Sequence, residues 1–228
     1  WGEGTEETVL TRPFGKYPYR PDDPADYHAA AKRLLHMQAA SLVRRMQYAN
    51  LKHPVVGISG GVDSTLAVII CAEAVKMMGL PADYVNAVTM PCFGTTKRTK
   101  SNAVKLCEEL GVSVQEVNIT ASVRQHFADI GHDEAVHDVT YENCQARERT
   151  QVLMDIANQS GGLVIGTGDL SELALGWATY NGDQMSMYGV NASVPKTLVR
   201  HLVKWAAATE QDAATRATLL DIIDTPVS

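Results

Sequence analysis

Apolar residues return at helical spacing between residues 27 and 50, through Leu34, Leu35, Leu42, Val43 and Met46. That period predicts one long amphipathic helix, with Asp26 placed to cap its start. Beyond it the pattern changes. Short apolar runs at 54–58, 84–90, 112–118 and 162–166 predict buried strands, and the segments 64–78, 99–110, 141–160 and 169–175 between or after them predict helices. Such alternation predicts an α/β domain, a doubly wound parallel sheet of about five strands with helices on both faces. Ligands of these sheets lie at the carboxyl ends of the strands. Residues 1–26 interrupt the pattern, because Pro13, Pro18, Pro21 and Pro24 stand among glycines and charges. They read as a linker or N-terminal arm, which leaves 27–228 as the folded domain. The chain has no internal repeat or low-complexity tract.

Composition narrows this picture. A chain of 228 residues that is 45% hydrophobic and 20% charged suits one such domain, with a core large enough to need no staples. Cys71, Cys92, Cys107 and Cys144 form no CxxC pair, so neither a zinc site nor a disulfide framework is expected, and a reducing cytoplasm fits. Because no apolar run approaches the roughly 20 residues of a membrane span, a soluble protein is expected. A net charge of −6 argues against nucleic acid as a general partner. The first residue is Trp1 rather than Met, from which an upstream continuation of the natural chain is expected.

The chemistry begins where the first strand, ending Gly57-Ile58, runs into Ser59-Gly60-Gly61-Val62-Asp63-Ser64 and then into the helical run from Thr65. Gly60 and Gly61 let the backbone come close to an anion, and Ser59, Ser64 and the first helical N–H groups supply donors backed by the helix dipole. A Walker loop would end in Gly-Lys-Ser/Thr, and that lysine is absent. Asp63 stands in its vicinity instead. A carboxylate beside phosphates repels them unless a divalent cation lies between, so the loop predicts Mg²⁺ held by Asp63; the plain alternative is a glycine turn with Asp63 as a helix cap.

This loop resembles the pyrophosphatase loop of the N-type ATP pyrophosphatases, which cleave ATP between its α and β phosphates to adenylate a substrate. Further segments choose within that group. The stretch Gly166-Thr167-Gly168-Asp169-Leu170-Ser171-Glu172, followed by Gly176-Trp177-Ala178-Thr179-Tyr180-Asn181-Gly182-Asp183, is similar to the NAD synthetase signature. So are Tyr141-Glu142-Asn143-Cys144-Gln145-Ala146-Arg147-Glu148-Arg149 upstream and Val194-Pro195-Lys196-Thr197 downstream. The resemblance implies an adenine nucleotide alpha hydrolase-like fold and ATP-dependent amidation of deamido-NAD to NAD through an adenylate. ATP would be a substrate, Mg²⁺ the metal and ammonia the nitrogen donor.

Carried over residue by residue, the resemblance implies that Gly57, Ile58, Ser59, Gly60, Gly61, Val62, Asp63 and Ser64 cradle ATP, with Asp63 and Glu172 on Mg²⁺. Thr167 and Lys196 would contact ATP. Asn143, Arg147, Glu172, Trp177, Ala178, Thr179 and Tyr180 would bind deamido-NAD, and Asp183 would lie by the ammonia pocket. Residues 89–98 sit where the family receives adenosine. Lys196 could offset charge on the leaving pyrophosphate, and Asp183 could gather ammonium and help it lose a proton. The family works as a homodimer with deamido-NAD across the interface, so a dimer or larger even assembly is expected.

Plainer readings stay open. Asp169 and Glu172 have capping-box spacing, Arg147 and Arg149 suit a solvated helix face, and Trp177 suits a core. The run from His132 to Asp138 reads as a solvated loop, because its histidines lack the HExxH geometry of a metal site. Tyr180 and Met187 replace a lysine and an acidic residue of the ammonia-dependent members, which points to the glutamine-dependent branch and to an upstream glutaminase domain. No glutamine-cleaving cysteine can be assigned here. The chain stops at Ser228, short of a further segment that the family carries over its substrates. Competing functions are another adenylating enzyme of the group, such as GMP synthetase, and a nonenzymatic nucleotide-binding module.

Overall fold

The structure, a computed structural model, describes residues 11–13, 19–93 and 97–225. Helix α1 (Pro24–Ala49) is capped by Asp23 rather than by Asp26: the Asp23 carboxylate accepts from the Ala25 and Asp26 amides, and Pro24 at the first helical position needs no donor partner. The helix therefore starts slightly earlier than its apolar period suggests. Asn50, in the left-handed region at φ 53°, ends it. Parts of the expected 1–26 arm, residues 1–10 and 14–18, lie outside the described residues, as do 94–96 of the expected adenosine loop.

Five strands then form one parallel sheet in the order β3-β2-β1-β4-β5. They are β1 (His53–Gly57), β2 (Asn86–Thr89), β3 (Ser113–Glu116), β4 (Gly162–Gly166) and β5 (Tyr188–Gly189). β2, β3 and β4 fall within the expected apolar runs and β1 starts one residue before its run; β3, at the sheet's edge, is largely exposed rather than buried, and the doubly wound parallel architecture stands as expected. β5 is new. It has only two residues, too few to show any alternation, and is held by the register Ile165↔Tyr188 and Gly166↔Gly189.

Successive strand residues point to opposite faces, and each face is covered. Val56, Ala87, Leu163 and Ile165 join α2 (Val62–Met77) in the larger core, together with α1, α3 (Lys97–Glu109), α7 (Lys196–Thr209) and α8 (Ala213–Ile223). Val55, Val88 and Val164 face the other way, onto α4 (Thr120–Ile130) and α5 (Val139–Ser160). Helix α2 lies between the sheet and α1, which explains why its apolar residues are not confined to one stripe. Three helices, α4, α7 and α8, have no counterpart among the expected elements. In α8 two of the core-facing positions are Thr215 and Thr218, which blur the apolar stripe. In α7 the stripe Val199, Leu202, Val203 and Ala207 does have helical spacing.

The sheet order places the switch point between β1 and β4, because the chain winds outward from β1 to β3 and returns to the far side of β1. The loops that follow these two neighbouring strands leave from the same edge. They are the glycine loop before α2 and the loop before α6 (Leu170–Leu175).

Strand β4 comes so close to β1 that no side chain fits at its first residue. A Cβ on Gly162 would stand 2.6 Å from the His53 carbonyl oxygen and 2.9 Å from Val55 Cγ2. Gly162→Ala should therefore lower unfolding stability by about 1–3 kcal/mol through overpacking, seen as a lower urea midpoint at unchanged slope. An unchanged midpoint would show that the two strands can part at no cost.

Candidate active site

The phosphate loop is built from its own hydroxyls. Gly60 takes φ 81°, a conformation that suits glycine, and turns the chain back over the start of α2. The Ser64 hydroxyl donates to the Gly61 carbonyl and accepts from the Ser59 amide, while the Ser59 hydroxyl accepts from the Gly61 amide at 3.3 Å. Ile58 ties the loop to β2, its amide donating to the Val88 carbonyl at 2.9 Å. At Gly57 an added Cβ would press on Leu153 at 3.1 Å, so the loop's root is packed against α5.

Beside this loop, Lys196 reaches into a ring of carboxylates. Its Nζ lies 2.7 Å from Asp63 Oδ2, 2.8 Å from Asp169 Oδ2 and 2.9 Å from Glu172 Oε1. Each partner comes from a different place: Asp63 from the first turn of α2, Asp169 from the cap of α6, Glu172 from the first turn of α6, and Lys196 from the first residue of α7. A cation at a helix N-terminus opposes the helix dipole, whereas the three acids are favoured by theirs, so the carboxylates hold the lysine in place.

Glu172 makes the capping box that its spacing predicts and also holds Lys196. Its Oε2 accepts from the Asp169 amide while Asp169 Oδ1 accepts from the Ser171 and Glu172 amides, a complete capping box, and its Oε1 accepts from Lys196. Asp169 is fully buried. It has two roles as well, one oxygen capping α6 and the other facing Lys196. The sequence shows the first role and hides the second.

Electrostatics follow from this crowding. Burial raises the Asp63 carboxyl above the ordinary range; Lys196 opposes the rise, and Glu172 and Asp169 add to it. Burial pushes Asp169 the same way, yet the Lys196 ammonium and the backbone amides of Glu172 and Ser171 outweigh it and hold the group low. Desolvation works to lower Lys196, but its bonds to Asp169, Asp63 and Glu172 carry it well above the usual lysine value. One ammonium among three carboxylates leaves a formal excess of two negative charges. Oxygens of the three carboxylates lie within 4.8 Å of one another, and Asp63 Oδ1 is buried without a hydrogen-bond partner. This set of hard oxygen donors and its charge deficit fit a divalent cation.

The second expected group assembles separately, between α5 and the loop after α6. Arg147 Nε donates to the Tyr180 carbonyl at 3.2 Å, and Arg149 grips Asp183 with two bonds of 2.8 and 2.7 Å. Arg149 is thus not a merely solvated face residue, and the Asp183 carboxylate already has a guanidinium on it. On the loop held by these tethers, Trp177 and Tyr180 are 80% and 75% exposed, which rules out the core reading of Trp177. Ala178 is exposed, while Thr179 and Asn143 are half-buried. Gly182 is packed on Ala146 of α5, where the residue has no room for a side chain. The loop before α5 is exposed as expected, with His132 Nε2 against the Val136 carbonyl and Asp138 capping α5.

Thr167 is joined to the metal-like centre through a residue that no motif singles out. Asn191 donates to the carbonyls of both Asp63 and Thr167. Among the described residues, no helix is long and apolar enough to cross a membrane.

Known proteins resemble this chain along nearly its whole length. A glutamine-dependent NAD(+) synthetase of Mycobacterium leprae is 43% identical over 225 residues, covering 96% of this chain and 33% of its own length. That of Acinetobacter baylyi is 34% identical, over 82% of this chain and 34% of its own. This chain thus spans about a third of the length of such relatives, and both carry the glutamine-dependent name to which Tyr180 and Met187 point. Among solved structures, a glutamine-dependent NAD+ synthetase from Acinetobacter baumannii in complex with ADP superposes with a TM-score of 0.75 at 25% identity, over 92% of this chain and 37% of that one. The family described as NAD synthase matches residues 34–214, a span that takes in the glycine loop, the carboxylate ring and Lys196, and the chain belongs to it.

Proposed function

We propose that this chain is the ATP-using part of a glutamine-dependent NAD synthetase, converting deamido-NAD, ATP and ammonia into NAD, AMP and pyrophosphate. The observation that carries the reading is the Lys196 ammonium set among Asp63, Asp169 and Glu172 beside the glycine loop. With a divalent cation bound, such a centre suits a polyphosphate, and family membership favours deamido-NAD over the purine nucleotide substrate of a GMP synthetase.

In the proposed reaction a nicotinate carboxylate oxygen attacks the α-phosphorus of ATP, and the bond to the β-phosphate bridge breaks. Pyrophosphate leaves. Ammonia then adds to the acyl carbon, loses a proton, and AMP departs to give the amide. Gly57, Ile58, Ser59, Gly60, Gly61, Val62, Asp63 and Ser64 line the phosphate cradle, whose amides and hydroxyls donate to phosphate oxygens. Asp63 and Glu172, with Asp169 behind them, would hold Mg²⁺. When bound, Mg²⁺ would spread the charge that builds on the phosphates. Lys196 turns from its carboxylates toward the leaving pyrophosphate, and Thr167 meets ATP from the neighbouring loop.

Deamido-NAD is assigned to Asn143, Arg147, Glu172, Trp177, Ala178, Thr179 and Tyr180. Two exposed aromatic rings on a tethered loop support this, since rings of that size left in water mark a contact surface. The same exposure supports a second copy of the chain lying across the substrate, hence a homodimer or larger even assembly. Asp183 is assigned to ammonium. It would share its carboxylate between the incoming cation and Arg149, with an upstream glutaminase domain supplying ammonia in the intact protein.

Asp63→Asn preserves volume and removes charge, so turnover should fall by about 100-fold or more with the fold intact. Glu172→Gln should do likewise while keeping the capping box and the melting temperature. Near-wild-type NAD formation by both variants at millimolar Mg²⁺ would end the assignment. With ammonium as donor, Asp183→Asn should raise the apparent KM for ammonium and leave ATP binding unchanged; a rise confined to deamido-NAD would instead make Asp183 a loop anchor only. Sedimentation should show a dimer or larger even assembly, and full activity from a strict monomer would exclude substrate binding across an interface.

A further inference from the structure

Two buried amides stand behind the carboxylate ring. Asn191 follows β5 and is fully buried. Its Nδ2 donates to the Asp63 carbonyl at 3.1 Å and to the Thr167 carbonyl at 3.0 Å. Its Oδ1 in turn accepts from Gln38 Nε2 at 3.3 Å, and the same nitrogen donates to the Val190 carbonyl at 2.8 Å. Gln38 comes from the middle of α1 and is itself buried. One planar amide thereby bridges the backbone of the first turn of α2, just after the glycine loop, to the backbone of the loop after β4, across the switch point where the two halves of the site meet.

We propose that Asn191 is a positioning residue for the proposed reaction, and that Gln38 is its buttress. The amide fixes how far the Asp63 half of the carboxylate ring stands from the Asp169 and Glu172 half. The role rests on the proposed function for its chemistry and on hydrogen bonds for its geometry. Nδ2 has two hydrogens and both are used, on carbonyls of residues that flank the site from either side. The arrangement is expensive as packing, because Gln38 Oε1 is buried without a partner. An apolar side chain of the same size would avoid that desolvation. What it would lose is direction: an amide sets the distance between two carbonyls, whereas a leucine fills space and sets nothing. A divalent cation is sensitive to such spacing, because its ligand oxygens must close on a narrow range of distances.

The test uses Asn191→Leu and the gentler Gln38→Met, which leaves both loops untouched. Mn²⁺ uptake in the presence of ATP, followed by electron paramagnetic resonance, reports the ring without turnover. NAD formation gives kcat and KM alongside it. Asn191→Leu should weaken Mn²⁺ uptake by about 10- to 100-fold, the range seen when the groups that orient metal ligands are removed. Turnover should fall with it while KM for deamido-NAD stays put and melting stays cooperative. Gln38→Met should move the same quantities in the same direction, by less. Variants that melt cooperatively and bind Mn²⁺ like wild type overturn the proposal, and so does failure of both to fold, which would make the amides structural alone. If the unsubstituted protein takes up Mn²⁺ with ATP but forms no NAD, the ligase reading falls, whereas the positioning role is still decided by the Mn²⁺ comparison.

Discussion

Charge balance around Lys196 is the constraint on which the rest of the site depends. Three carboxylates with oxygens inside a 4.8 Å span would repel one another severely in a half-buried setting, and the ammonium among them offsets part of that repulsion. The acids come from α2 and α6 and the base from α7, so the ion cluster also joins three chain segments that the sheet alone does not connect. Its secondary supports have the same logic: Ser171 accepts from the Lys196 amide, and Leu170 donates to the Val194 carbonyl, so α6 and α7 meet end to end. The lysine thus serves as a resident counter-ion, and any change in what occupies the ring must move it.

Much of this was legible in the sequence, and for identifiable reasons. The inner strands of a parallel sheet are buried on both faces, so β1, β2 and β4 stand out as apolar runs, whereas the edge strand β3 is legible only from Val114 and the flanking Val112 and Val117; the glycine loop between β1 and α2 announces a backbone that must come close to an anion. Asp63, Glu172 and Lys196 were recognisable because they sit in contiguous motifs. What escaped has a common cause. Asp169 was visible as a cap because capping acts over three residues, but its hold on Lys196 joins positions far apart in the chain. Asn191 and Gln38 are farther apart still, and a lone amide has no spacing rule that would mark it. β5 is defined by its neighbour rather than by its own two residues.

Local rules also misplaced one boundary. Asp26 and Asp23 are both plausible caps, and Pro24 decides between them, since proline at the first helical position starts a helix rather than stopping one. Arg149 shows the opposite limit. Its place on a charged helix suggested solvent, and only the fold brings Asp183 within reach.

The outermost strands have a consequence for how copies of this chain can meet. At one end of the sheet β5 offers a template of two residues, and at the other β3 has Ser113, Gln115 and Glu116 exposed along its length. Neither border invites another strand: the first offers too few free groups on its outer side, and the second is polar and carries an acid that like copies would repel. Among the described residues, the sheet thus offers poor templates for edge-to-edge addition. That leaves helix and loop surfaces of the described residues for contact with a partner, and there side-chain shape rather than backbone pairing does the choosing.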